Sequence, residues 1–316
     1  MSKVGGRRNY GYGKTLVWAG KNALRDRYGE GHFGTRAAHA ARWTKFAAYA
    51  KSQTIKDARE VTEAMLQAYG TRLARQVKAK EMAVHYAQNL LSTVNVVLEA
   101  LRGDRRIRIS PSRIVGQRTN IREQIPQGLT HDRVTKTIER LNESGERRTA
   151  MVAALARDLG LRFREASLLD ARQALSKAFR ERRVNITQGT KGGRGKVVDR
   201  WVPVTPQALG SLLRAAVLQQ GARNLIPSEQ NYRVWRDHVY GVWQRVASGE
   251  DLKGFHDLRA AYACERYQSL TGVPAPVVAG ERLADRDTDR EARRVIAHEL
   301  GHSRIEIVAA YVGSAA

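Results

Sequence analysis

The sequence predicts a mainly helical chain of two domains, an α+β fold with a small antiparallel sheet near the start of the second half. Three observations carry this expectation. Apolar residues recur every three or four positions along most of the chain, which gathers them on single helix faces. One stretch around residues 183–204 alternates in the manner of strands and holds a glycine-rich turn. The length, 316 residues, exceeds that of one average domain.

The elements follow in order. Residues 1–29 are rich in glycine and in Arg7, Arg8, Lys14, Lys21, Arg25 and Arg27, and read as a flexible basic arm. A helical domain over 30–103 comes next. Its first helix carries Trp43, Phe46 and Tyr49. Its second aligns Val61, Met65, Tyr69 and Leu73 on one face, and its third runs from Leu90 through Leu101 to a stop at Gly103. Arg72, Arg75 and Lys78 give the second helix a basic face. Residues 104–128 mix Gly and Pro with arginines, among them Arg105, Arg106, Arg113 and Arg118, and read as an exposed basic linker.

A second domain over 129–316 resumes with helices marked by Val134, Ile138 and Leu141, then by Met151, Leu155 and Leu159. Two strands are expected at RVNITQG and VVDRWVPV, joined by the glycine-rich turn. Thr205-Pro206 starts a helix that Gly221 closes, and Trp235, Val239, Val242 and Val246 mark another. Trp201, Trp235 and Trp243 read as core rather than as stacking platforms.

Charge is the strongest global signal. Lys and Arg number 55 against 31 Asp and Glu, a formal net charge of +24. Such an excess draws polyanions, and nucleic acid is the first of these, because each neutralised phosphate releases condensed counterions. A lipid surface is the rival, but no basic amphipathic helix with an aromatic apolar face stands out. The single cysteine, Cys264, excludes an internal disulfide and a cysteine-rich metal site. No apolar run is long enough to span a bilayer and the N-terminus lacks a secretory core, so a cytoplasmic, nucleoid-associated protein is expected.

Three local patterns then occur in order: GLRFREASLL around Arg162, HDLR at 256–259, and LGHSRIEIVAAY at 300–311. Their residue types suit phosphodiester chemistry, in which a nucleophile meets a phosphorus whose non-bridging oxygens gain charge. Arg162 and Arg259 offer forked donors that stay protonated. His256, three residues before Arg259, shares its helix face and can take the proton of an attacking phenol. Tyr311 supplies that phenol. Ser303 and Glu306 form a capping-box pattern that would start a helix bearing Tyr311, with His302 just ahead of it, in reach of the scissile phosphate.

These residues and their spacing resemble the tyrosine recombinases, the family of phage integrases and chromosome-dimer resolvases. The likeness covers roughly residues 130–311 and falls on Arg162 with Glu165, a strand-turn lysine at Lys191, His256 with Arg259, Leu300-Gly301-His302, and Tyr311. It implies that 129–316 is the catalytic domain and 30–103 the DNA core-binding domain, closing as a clamp on duplex DNA. It also implies cleavage without metal or cofactor, in which Tyr311 becomes joined to a 3′ phosphate and the lysine protonates the leaving 5′ oxygen. Glu165 would orient Arg162. The partners implied are double-stranded recombination sites of a mobile element, a homo-tetramer on synapsed DNA that is monomeric or weakly associated when free, and a DNA-bending or directionality factor; no membrane is involved.

Three departures stand out. The turn TKGGRGK leaves both Lys191 and Lys196 open as the acid. Residues 273–297 lengthen the connection before Leu300, either as a solvated helical insertion or as a protomer contact. Only five residues follow Tyr311, too few for a docking helix. Three rivals come from elsewhere. An inactive DNA-binding regulator on the same fold would lack cleavage, and a type IB topoisomerase would act as a monomer. His-Glu-Leu-Gly-His at 298–302 matches a zinc-protease pattern, but Ile305 and Val308 stand where its longer form needs Gly and His.

Overall fold

The computed structural model describes residues 7–247 and 252–315, apart from the side chains of Arg194 and Lys196. The chain divides into two compact units, 1–119 and 120–316.

The first unit contains α1 (Leu16–Tyr28), α2 (Phe33–Ser52), α3 (Glu63–Lys78), α4 (Val84–Arg102) and the short α5 (Pro111–Val115). Its core is Trp43, Phe46, Leu66, Leu90, Leu91, Leu98 and Leu101, all fully buried, as the apolar periodicity requires. Gly103, at φ 76°, closes α4.

The expected flexible arm is absent from residues 7–29. Thr15 caps α1 by accepting from the Trp18 N–H at 3.3 Å, and Leu16, Ala19, Ala23 and Leu24 are buried against α2 and α4. The basic residues hide this stripe in a reading by composition. Close approach of α1 needs Gly20, because a Cβ there would lie 2.1 Å from Trp43 Nε1. That indole donates to the Leu16 carbonyl at 2.6 Å.

The expected linker is likewise divided. Ile109 and Val115 join the first core, and Asn95 bonds both backbone groups of Ile109, at 2.8 and 3.2 Å. Residues 120–128 belong to the second unit, where the Gly128 N–H donates to Asp257 at 3.0 Å.

The second unit holds α6 (His131–Glu143), α7 (Arg147–Asp158), α8 (Phe163–Leu168), α9 (Ala171–Glu181), α10 (Pro206–Gln219), α11 (Tyr232–Ala247), α12 (Phe255–Thr271), α13 (Pro276–Ala279), α14 (Arg286–Glu299) and α15 (Ala309–Val312). Between α9 and α10 lie β1 (Arg183–Asn185) and β2 (Trp201–Pro203), antiparallel with Val184 opposite Val202. This is the mainly helical fold with a small sheet that the sequence predicts. Thr205 caps α10 and Pro206 opens it, as expected. Trp235 and Trp243 are buried, while Trp201 is only half-buried, under Lys177 and Arg183 at 5.4 and 4.5 Å from its ring.

α7 and α12 form the centre, and α14 packs on α12. The charged insertion is therefore solvated on one side only: Ala292, Arg293, Ile296 and Ala297 are buried, whereas Arg286, Arg290, Glu291 and Arg294 are exposed. Among the described residues, no helix is long and apolar enough to cross a membrane.

If α1 is core rather than arm, Gly20→Ala should destabilise the protein by about 1–3 kcal/mol, the scale of an overpacked core. Urea unfolding checks this, and an unchanged midpoint would return the segment to a loose arm.

Candidate active site

The site is assembled from the ends of elements. Gly160, at φ 60°, reverses the chain after α7, and Arg162 becomes the residue that opens α8. One turn later Glu165 reaches back, accepting from the Arg162 backbone N–H at 2.8 Å and from its Nη1 at 2.6 Å. Glu165 is completely buried and also meets Arg200 Nη1 at 2.8 Å and Arg259 Nη1 at 3.6 Å. Burial alone pushes the Glu165 carboxyl up, but the guanidinium groups of Arg200, Arg259 and Arg162 overcome it and hold it at about 2.

Arg259 comes from α12, one turn after His256. Its side chain is 1% exposed. It donates to the carbonyls of Gly160 and Leu300 and, through Nε, to the Tyr311 hydroxyl at 3.4 Å. Burial pushes Arg259 down to about 10, with the Tyr311 hydroxyl acting in the opposite direction, so it is still a cation at neutral pH. Asp257, between the two, is held by Arg122 and the Gly128 N–H, which fixes the first turn of α12.

His302 follows the end of α14, where Gly301 at φ 64° turns the chain. Its Nε2 lies 3.1 Å from the Tyr311 hydroxyl. The His256 ring instead meets the Tyr311 ring edge-on, with centroids 5.3 Å apart. The phenolic proton, assigned to His256 from sequence, thus sits next to His302. The Ser303–Glu306 capping box does not form: a 3₁₀ turn over Ile305–Val308 has Arg304 at its start with no side-chain cap, and α15 then presents Tyr311. Burial, followed by the neighbouring Arg259, lowers both histidines, and His302 falls to about 3. Each is neutral near pH 7.

Lys191 is exposed and shares a cavity of about 250 Å³ with Arg162, Arg200, His298 and His302. The side chain of the alternative acid, Lys196, lies outside the described residues. A second opening, of about 330 Å³, is lined by Arg162, Tyr232, Tyr240, His256, Arg259 and Tyr311. Five of the candidate side chains, Arg162, His256, Arg259, His302 and Tyr311, therefore border one region with Glu165 beneath it.

The zinc-protease pattern fails on geometry. α14 ends at Glu299, Gly301 adopts a left-handed turn, and His302 faces Tyr311 rather than His298. Among the described residues, no group of three or more His, Cys, Asp or Glu side chains is placed to hold a metal ion.

Arg72, Arg75, Lys78, Arg105, Arg106, Arg113 and Arg118 are all exposed on the first unit. Arg105 pairs with Glu99 at 3.1 Å, and Arg72 lies 5.9 Å from the Tyr49 ring. Two residues at the site escaped the sequence reading. Arg200 looked like one more charge before a strand, and Arg122 like part of a linker; no periodicity marks either as buried or bonded.

A sequence model of the integrase family matches residues 117–265. Over those residues the chain is similar to the integrases, and its fold is that of solved tyrosine recombinases. The match takes in Arg162, His256 and Arg259 and stops before His302 and Tyr311, whose place in the site is given by geometry. Solved recombinases share the fold. The Tn1549 transposon integrase, in complex with transposon right end DNA, superposes with a TM-score of 0.59 at 11% identity, over 95% of each chain. A lambda integrase dimer bound to a COC′ core site gives 0.57 at 16% identity, over 92% of this chain and 94% of that one. A lambda integrase tetramer bound to a Holliday junction gives 0.54 at 15% identity, over 89% and 72%. No curated protein sequence matches this chain.

The lowered His302 has a measurable consequence. Its ordinary value is near 6.5 and its folded value about 3, so across that window the unfolded chain binds a proton that the folded chain lacks. Stability should fall as pH drops from 6.5 towards 3. His302→Gln should flatten the dependence in urea unfolding between pH 4 and 7, whereas parallel curves would mean that His302 titrates normally.

Proposed function

We propose that this chain is a tyrosine recombinase that cuts and rejoins double-stranded DNA at the attachment sites of a mobile element, with Tyr311 as nucleophile. The observation that carries the reading is the Tyr311 hydroxyl, which is bonded to both Arg259 and His302 at the edge of a pocket bordered by Arg162. A phenol held between a permanent cation and a neutral imidazole is placed to lose its proton as it attacks.

In this mechanism the scissile phosphate enters between Arg162 and Arg259, whose N–H donors take its non-bridging oxygens and the charge they gain. His302 Nε2 accepts the phenolic proton. The Tyr311 oxygen forms a bond to phosphorus, and the bond to the 5′ oxygen breaks. Lys191 gives that leaving oxygen its proton. The product is a 3′-phosphotyrosyl ester and a free 5′ hydroxyl, and the ester keeps the bond energy for rejoining to another strand. The two guanidiniums supply the charge stabilisation that a bound cation supplies in other phosphoryl transfers.

The net charge of +24 and the exposed arginines of the first unit support a broad duplex contact. Arg72, Arg75, Lys78, Arg105, Arg106, Arg113 and Arg118 are the residues proposed for it. The relatives solved as a dimer on a core site and as a tetramer on a Holliday junction support a tetramer of this chain on paired sites. A DNA-bending or directionality partner and a nucleoid location belong to the same proposal.

A nicked duplex carrying a selected binding site tests the chemistry. Wild-type protein should form a covalent adduct that survives denaturing electrophoresis. Tyr311→Phe should form none yet bind within about threefold, because one hydroxyl contributes little to a contact dominated by phosphates. An adduct with Tyr311→Phe would move the nucleophile elsewhere, and none with wild type would favour a DNA-binding regulator. Arg162→Ala should slow adduct formation by roughly a hundredfold or more, the effect of removing one transition-state donor. A loss of only about tenfold in single-turnover assays would argue against the arginine clamp.

A further inference from the structure

Arg200 has no role in the scheme above, yet it is the most constrained guanidinium in the site after Arg259. We propose that Arg200 is a positioning residue that acts through Glu165 to set how firmly Arg162 and Arg259 are held, and so how freely they meet the phosphate. The inference rests on the reading of Arg162, Arg259 and Tyr311 given above.

Strand pairing fixes the backbone of Arg200. Its carbonyl accepts from the Ile186 N–H at 2.9 Å, and its own N–H donates to Asn185 Oδ1 at 2.9 Å. The side chain, 4% exposed, then crosses beneath the site. Nε donates to the Glu299 carbonyl at 2.7 Å, which ties it to the last turn of α14. Nη1 meets Glu165 Oε1 at 2.8 Å, the same oxygen that Arg162 Nη1 reaches at 2.6 Å. Two cations therefore share one carboxylate oxygen, Arg162 by a hydrogen bond and Arg200 by an ion pair without hydrogen-bond geometry. Removing Arg200 would leave Glu165 to Arg162 and Arg259 alone, binding them more tightly and making them less available to an incoming anion.

The turn that carries His302 is also built over this side chain. A Cβ on Gly301 would stand 3.0 Å from Arg200 Cδ, and Gly301 is at φ 64°. A side chain at 301 would crowd Arg200 and strain the left-handed backbone that glycine adopts freely. Arg200 Nη2 is buried and without a hydrogen-bond partner among the described residues, although it belongs to a residue lining the cavity of Lys191 and His302. A buried cation with an idle donor is a poor way to fill space, since an apolar side chain of similar volume packs there at lower cost. Its charge also helps to keep His302 neutral, after burial, Arg259 and Arg162.

The test compares Arg200→Met, Arg200→Lys, Glu165→Gln and the Glu165→Gln/Arg200→Met pair in the full chain. It measures single-turnover adduct formation on the nicked duplex, DNA affinity, and the His302 titration by NMR. Arg200→Met should slow adduct formation by about tenfold to a hundredfold with affinity within about threefold. Arg200→Lys, which keeps the charge but loses the fork, should fall about fivefold. In the Glu165→Gln background the same Arg200→Met change should cost under about threefold, because the two residues act as one unit. The His302 midpoint should rise in Arg200→Met and stay in Arg200→Lys. Wild-type rates in Arg200→Met overturn the proposal. So do equal losses in both backgrounds with an unmoved His302 midpoint, which would mean packing alone. If Arg200→Met does not fold, Arg200→Lys decides, and a wild-type rate there is the contrary result. Adducts that do not need Tyr311 would remove the underlying reading, whereas a Tyr311-dependent adduct at full rate in Arg200→Met removes this inference alone.

Discussion

One buried carboxylate, Glu165, faces three guanidinium groups, and the arrangement of the site depends on that imbalance. A single negative charge cannot neutralise three positive ones, so two remain uncompensated in a region from which water is largely excluded. Low dielectric makes such an excess costly to the free protein and correspondingly attractive to an anion. The fold tolerates it because each arginine is anchored separately: Arg162 at the opening of α8, Arg200 by strand pairing and the Glu299 carbonyl, Arg259 by the carbonyls of Gly160 and Leu300. The same excess adds to burial in keeping the histidines neutral. A second proton near these cations would add to a field that already lacks a partner, which holds His302 uncharged and able to accept.

The parts of this picture that were legible in the sequence are those written in short-range patterns. The helical periodicities around Trp43, Leu90 and Leu155 marked core helices, and all three residues are buried. Thr205-Pro206 marked a helix start because capping is a local matter. The spacing His256 to Arg259 placed both on one face of α12, and Tyr311 nine residues after His302 brought hydroxyl to imidazole.

What was not legible depends on distant neighbours. Leu16, Ala19, Ala23 and Leu24 form a genuine apolar stripe, but the lysines and arginines between them swamped it, and only Trp43 reveals its purpose. Arg200 shows nothing locally, since its partners are 35 and 99 residues away in sequence. The division of labour between His256 and His302 was likewise undecidable from spacing, as either can reach a phenol once the chain folds. The Ser303–Glu306 capping box misled because the chain there is tied elsewhere, by the His302 N–H to the Ala297 carbonyl and by a 3₁₀ turn in place of the α-helical start.

The short helix that carries Tyr311 is pinned on both sides. Upstream, the Ala309 carbonyl accepts from the Arg122 N–H at 2.9 Å. Downstream, Arg293 donates to the carbonyls of Gly313 and Ser314, at 3.1 and 2.8 Å, from its place beside Asp289 on α14. Such a segment behaves like a lever with both bearings fixed: its hydroxyl can travel by rotation of the side chain, whereas carrying the whole helix to another active centre would require both bearings to release together. Under the proposed chemistry, such an arrangement favours attack on a phosphate bound by the same polypeptide, with α14 acting as the latch.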